Sequence, residues 1–239
     1  MADEDDMPQL PAATLALLQD FYSERDTRAK QFEELKSAAE NDFDTTKKWS
    51  MDAFTEDWNA SQFWYNDTTA TLLARTLLSN STSSTKIAVV SAPSAFIALK
   101  NLLNELEFPD GRPQITLLEY DTRFDVFKNE FVFYDFEHPT RLPVEMKGSF
   151  DVVIVDPPFL SEDCQTKAAL TVRWLAKSWT PESLRFVACT GERMETLITK
   201  LYAKIGARTT TFEPKHAKGL SNEFRCYANF ECGDWRFRE

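Results

Sequence analysis

At 239 residues, with 43% hydrophobic and 13% aromatic side chains, the chain has ample core material, which excludes disordered and fibrous classes. A net charge of −11 and an isoelectric point near 4.8 oppose the phosphates of nucleic acid and favour a basic macromolecular partner. No apolar run reaches membrane-spanning length, and the acidic opening MADEDDMPQL stands where a signal peptide would be basic, so a soluble, cytoplasmic protein is expected.

In chain order, residues 1–50 read as an extension. An acidic, disordered start leads into helix from Leu10 to about Glu40, a charged stretch without Gly or Pro after Pro11. Residues 51–239 read as one α/β domain. A helix over Asp67–Leu78, capped by Asn66 or Asp67, precedes a buried strand, Lys86–Ser91. A helix over Ser94–Glu107 follows, then strands over Gln114–Tyr120, Phe131–Asp135 and Asp151–Val155. A helix over Cys164–Ser178, a strand over Arg185–Thr190 and a helix over Glu192–Ile205 come next. Two closing strands, Arg208–Glu213 and Glu223–Glu231, have no long helix between them. This alternation predicts a mostly parallel seven-stranded sheet covered on both faces, with an antiparallel hairpin at one edge.

In open α/β sheets, ligands sit beyond the carboxyl ends of the strands. Those ends here are Ser91-Ala92-Pro93-Ser94, Glu119-Tyr120-Asp121, Asp135-Phe136 and Asp156-Pro157-Pro158-Phe159. The last is the sharpest. Asp156 offers a carboxylate, and the two prolines stiffen the turn. Pro157 keeps its carbonyl as an acceptor, and Phe159 adds an aromatic wall. Two acceptors and an aromatic face suit an amine whose lone pair must be aimed at an electrophilic carbon, which is catalysis by positioning.

The segment VIVDPPF resembles the Asp/Asn-Pro-Pro-Tyr/Phe signature of amino-methyltransferases that act on base nitrogens, glutamine amides or lysine amines. With SQFWY, VSAPS, EYDTRF, FYDF, DPPFLSEDC and NEFRCYANF, the chain from about Gln62 to Phe230 resembles the eukaryotic elongation factor 1-alpha lysine methyltransferases, a family formerly described as adenine-specific DNA methyltransferases. The resemblance implies a Rossmann-like class I methyltransferase fold and S-adenosylmethionine as methyl donor. It makes Asp156, Pro157 and Phe159 the expected catalytic group, with Pro158, Phe159, Glu223 and Phe224 facing a protein substrate. The expected cofactor residues are Ser91, Ala92, Pro93, Asp135, Phe136 and Asp156, with Glu119, or Asp121 as the alternative from the same turn, for the ribose hydroxyls. Trp64 and Tyr65, beside Phe63, would close over the cofactor; an aromatic run packed into the core reads equally well. The chain lacks the Gly-x-Gly loop of most class I methyltransferases and has Ser91-Ala92-Pro93-Ser94 there.

The remaining signals are weaker. Cys164, Cys189, Cys226 and Cys232 have no CxxC spacing, and His138 and His216 are the only histidines, so neither disulfides nor zinc is expected. The loop with Lys215, His216, Lys218 and Gly219, before Asn222-Glu223-Phe224-Arg225, reads as a charged edge hairpin or as a substrate contact. Two other functions stay open: an adenine amino-methyltransferase stacking a flipped base on Phe159, and a binding subunit without catalysis.

Overall fold

The computed structural model describes residues 11, 13–17, 19–20, 22–23, 26–27, 30, 33–34, 48–54, 56, 62–219 and 223–239. The expected disordered start and Asn222 lie outside these. Between residues 13 and 34 the described residues are helical. The domain's helices are α1 (Asp67–Leu78), α2 (Pro93–Glu105), α3 (Glu162–Leu175) and α4 (Glu195–Leu201). Its strands are β1 (Lys86–Val90), β2 (Gln114–Glu119), β3 (Phe131–Phe133), β4 (Val152–Val155), β5 (Arg185–Gly191), β6 (Arg208–Thr209) and β7 (Phe224–Ala228).

The seven strands form one sheet in the order β3-β2-β1-β4-β5-β7-β6. Strands β1 to β5 run parallel, while β7 is antiparallel to both neighbours. The chain belongs to the Rossmann-like α/β class that the strand–helix alternation predicts. The strict two-residue period of the strands divides the core in two. Ile87, Val89, Val152, Ile154, Val187 and Cys189 face one layer with α1 and α2. Ala88, Val90, Val153, Val155, Phe186 and Ala188 face the other, with α3 and α4. Because both faces are covered, the central strands read as continuous apolar runs.

Local chemistry sets the ends of the elements. Asn66, not Asp67, caps α1 by accepting from the Thr69 N–H at 2.9 Å. Ser161 caps α3, which therefore starts at Glu162, ahead of Cys164. The helix expected over Glu192–Ile205 is broken. A 3-10 turn precedes the seven residues of α4, and a second, Ala203–Ile205, stops at Gly206 with φ 76°. A 3-10 segment, Thr122–Glu130, capped by Asp121, lies where no element was expected.

The closing strands differ most from expectation. β6 is two residues long because Thr210 bridges to Phe237 and the Thr211 N–H donates to the Arg236 carbonyl, so the C-terminal tail takes over the edge. β7 lies between β5 and β6, in the antiparallel edge hairpin that was expected. It stops at Ala228 because the Asn229 side chain accepts from the Phe186 N–H and donates to the Leu184 carbonyl, replacing the ladder. Among the described residues no helix is long and apolar enough to cross a membrane.

Candidate active site

The carboxyl ends of β1, β2 and β4 open onto a cavity of about 900 Å³. At its floor is Asp156, where β4 leaves the sheet; its N–H still donates to the Val90 carbonyl at 3.0 Å. Two side chains hold the turn that follows. Gln165, buried on α3, donates through Nε2 to the Phe159 carbonyl and to Thr190 Oγ1, both at 3.0 Å. Arg193 donates to the Leu160 carbonyl at 2.8 Å. Gly191 lets Leu160 in, since a Cβ there would stand 2.8 Å from Leu160 Cδ1. Pro157, Pro158 and Phe159 line the cavity, and the Phe159 ring leans on Phe136 with centroids 5.5 Å apart.

At the end of β1, Ser91 takes the left-handed conformation, φ 53°, that glycine ordinarily occupies. Its N–H remains on the Leu118 carbonyl, and Ala92-Pro93 opens α2 with proline in the first turn. The sharp turn of a Gly-x-Gly loop is thus made without glycine.

Of the two acids at the end of β2, Glu119 lines the cavity and Asp121 does not. Asp121 is held by the Arg123 guanidinium and by Gln62 Nε2 at 3.1 Å, so the ribose alternative at Asp121 is not on the cavity wall. These partners keep its carboxyl below the usual range despite burial. Glu119 Oε1 accepts from the N–H groups of Tyr120 and Asp121 at 3.0 and 3.2 Å. Burial, with the nearby Asp121, pushes its pKa up to about 7.

Asp135 and Phe136 also face the cavity. The Asp135 carboxylate accepts from the Glu137 N–H and pairs with His138 Nδ1, each at 2.9 Å, which holds it below its ordinary pKa. Each oxygen keeps a second lone pair.

The aromatic run before α1 forms the opposite wall. Trp64 and Tyr65 are buried and line the cavity beside Phe63. The run packs into the core, since Trp64 Nε1 donates to the Phe54 carbonyl at 3.1 Å, and Tyr65 also lines the cavity. The Tyr65 hydroxyl donates to Asp156 Oδ2. Burial, offset by this hydrogen bond and reinforced by the charge of Glu119, pushes the Asp156 pKa up to about 8.

His216, Lys218 and Gly219 complete the mouth. His216 bridges to Tyr65 through the backbone, and its ring lies between Tyr65 (5.1 Å) and Phe224 (4.6 Å). Burial pushes its pKa down to about 4, so it is neutral. Phe224 lines the cavity; Glu223 does not, its carboxylate accepting from Arg225 at 3.1 Å. Sequence reasoning missed Arg193, Glu137 and the weight of His216, which sit in no recognisable motif, and Leu160, although it lies within DPPFLSEDC. Among the described residues no group of three or more His, Cys, Asp or Glu could hold a metal ion.

A family model described as Probable N6-adenine methyltransferase matches residues 56–232. The chain is 43% identical over 239 residues to the protein-lysine N-methyltransferase EFM5 of Saccharomyces cerevisiae, covering 95% of this chain and 94% of that one. The chain belongs to the EEF1A lysine methyltransferase 1 family. Members named so from Gallus gallus and Homo sapiens are 39% and 37% identical, each over 97% of this chain and 98% and 96% of their own. A solved branched-chain polyamine synthase from Thermus thermophilus is 10% identical with a TM-score of 0.54, over 85% of this chain and 67% of that one, a likeness of fold alone. The family chemistry is methyl transfer to nitrogen.

Proposed function

We propose that the protein transfers methyl groups from S-adenosylmethionine to a lysine side chain of translation elongation factor 1-alpha. The observation that carries this is the Asp156-Pro157-Pro158-Phe159 turn at the floor of the cavity, in a chain whose relatives are named for that activity. The residues present fit the donor. About 900 Å³ suits a nucleoside joined to an amino acid. Glu119 would accept hydrogen bonds from the ribose hydroxyls and Asp135 from the adenine amino group, with Phe136 available to the ring. Ser91, Ala92 and Pro93 offer small side chains to the close approach of the ligand, and Trp64 and Tyr65 would cover it. When bound, the donor supplies an electrophilic methyl group on a positively charged sulfur.

The chain's own residues bring the amine to it. Asp156 and the Pro157 carbonyl accept hydrogen bonds from the amine and orient its lone pair. A lysine ammonium has no lone pair and must first lose a proton. A carboxyl with a pKa near 8 is a far better acceptor for it than an ordinary aspartate. Phe159, Pro158 and Phe224 wall the entry, and the ring of Phe159 tolerates each added methyl by cation–π contact, so methylation proceeds to the trimethyl state. Intact-mass analysis that saturates at one added methyl would contradict this last point.

The adenine reading shares the same turn, and the family model is described in its terms. The charge of −11 weighs against it, because a duplex or single strand brings a dense array of phosphates to the mouth. The test is methyl transfer from labelled S-adenosylmethionine with the elongation factor and an adenine-containing oligonucleotide side by side. Label on the factor, lost in Asp156→Ala, is the expected result; label on the oligonucleotide alone overturns the proposal.

A further inference from the structure

Tyr65 is fixed from four directions. Its N–H donates to Ser94 Oγ at 3.2 Å, at the start of α2. Its backbone bridges to His216, while the neighbouring Trp64 carbonyl accepts from the Ala217 N–H at 2.8 Å. Its ring lies against His216, and its hydroxyl ends on Asp156 Oδ2, 91 residues away in the chain. Among the described residues no protein donor reaches Asp156 Oδ1. An aromatic residue serving only as a cofactor wall needs no hydroxyl, and phenylalanine would pack as well at a site that is 4% exposed.

We infer that Tyr65 is a positioning residue for methyl transfer: its hydroxyl ties down Oδ2 of Asp156 and leaves Oδ1 to take the proton of the incoming amine. The inference rests on the lysine reading above. An N–H bond of the substrate ammonium breaks, the proton passes to Oδ1, and the electron pair stays on nitrogen. That pair then forms the new N–C bond as the C–S bond of the donor breaks, its pair remaining on sulfur. The proton leaves to solvent when Asp156 ionises again.

The hydroxyl also tunes the carboxyl. A hydrogen bond to a charged group favours the ionised form, and Tyr65 offsets part of what burial and the charge of Glu119 do to Asp156. The groups facing this pair are few. Glu119 at the end of β2 titrates near 7. Cys189 on β5, opposite Cys226 on β7, is pushed well above the ordinary thiol range. His216 stays neutral above pH 5, and Tyr65 itself is pushed far above its ordinary value by burial and by Asp156.

The experiment is the pH dependence of kcat on unmethylated elongation factor 1-alpha at saturating S-adenosylmethionine, which holds Glu119 ionised. Wild type, Tyr65→Phe and Asp156→Asn are compared, with cofactor Kd by calorimetry and thermal unfolding for each. The expected result for Tyr65→Phe is a cofactor Kd within about threefold of wild type and a kcat at pH 7.5 lower by about tenfold. The acid limb should move up by about one pH unit, so that activity recovers at pH 9. Two results overturn the inference. One is an unshifted limb with unchanged kcat. The other is a weakened cofactor Kd with kcat intact, which makes Tyr65 a cofactor wall. A wild type with no transfer to the factor at any pH refutes the lysine reading itself, and label on the factor with an unmoved limb refutes this inference alone.

Discussion

Glu119 and Asp156 are carboxyls buried against a mostly apolar cavity, and burial pushes both toward neutrality. A ribose hydroxyl prefers an ionised acceptor, so cofactor affinity should fall as pH drops through about 7 and Glu119 takes up a proton. Calorimetry at pH 8 and pH 6 should show about a tenfold weaker Kd at the lower value, and Glu119→Gln should bind weakly at both. At this scale the sequence narrowed the choice without completing it. It favoured Glu119 and kept Asp121 as the alternative, because both stand at the end of the same strand. Arg123, two residues further on, claims Asp121, and only the folded turn shows that pairing. Tyr65 was legible as an aromatic but not as a partner of Asp156, since a hydroxyl meeting a carboxylate across 91 residues leaves no local trace.

At the scale of elements, strands β1, β2, β4 and β5 were readable from their apolar runs and α1 from its cap, whereas α2 and α3 were placed between strands without caps and the Ser161 cap of α3 was missed. Short 3-10 pieces and the length of β6 were not readable, because side chains and the C-terminal tail decide them through distant contacts. The Pro157-Pro158 turn is stiff by composition, but its aim depends on α3. Gln165 ties the Phe159 carbonyl to Thr190 on β5, joining the turn to two elements. Replacing it with Leu, of similar size, leaves buried partners unpaired and should cost about 1–3 kcal/mol of stability. Chemical denaturation should show that loss, with a fall in kcat larger than any change in cofactor Kd. Activity equal to wild type would mean that the prolines alone aim the turn. At the entry to α1, Asn66→Ala should cost about 1 kcal/mol through the lost cap.

For the whole molecule, the same carboxyls couple stability to pH. Asp156 moves from 3.8 to about 8 and Glu119 from 4.5 to about 7 on folding. Between these limits the folded protein holds protons that the unfolded chain has released. Their contribution is present below about pH 4 and is lost as pH rises through 7 and 8. The depressed acids Asp121, Asp135, Glu192 and Glu213 act oppositely, losing their contribution in acid. The cofactor-free protein should therefore show a higher Tm at pH 6 than at pH 8.5, and Asp156→Asn should narrow the gap; a Tm that rises over that interval contradicts the assignment. The acidic surface belongs to this scale too, being a property of the sequence that favours a basic protein over a nucleic acid. The central claim is that the amine accepting the methyl group is a lysine side chain meeting Asp156. Its most direct test is tandem mass spectrometry of elongation factor 1-alpha after incubation with a methyl-deuterated donor and either wild type or Asp156→Asn. Deuterated methyl groups on a lysine Nε with wild type, and none with the variant, are the predicted result. A lysine labelled equally by the variant, or no lysine modified by wild type, would contradict it.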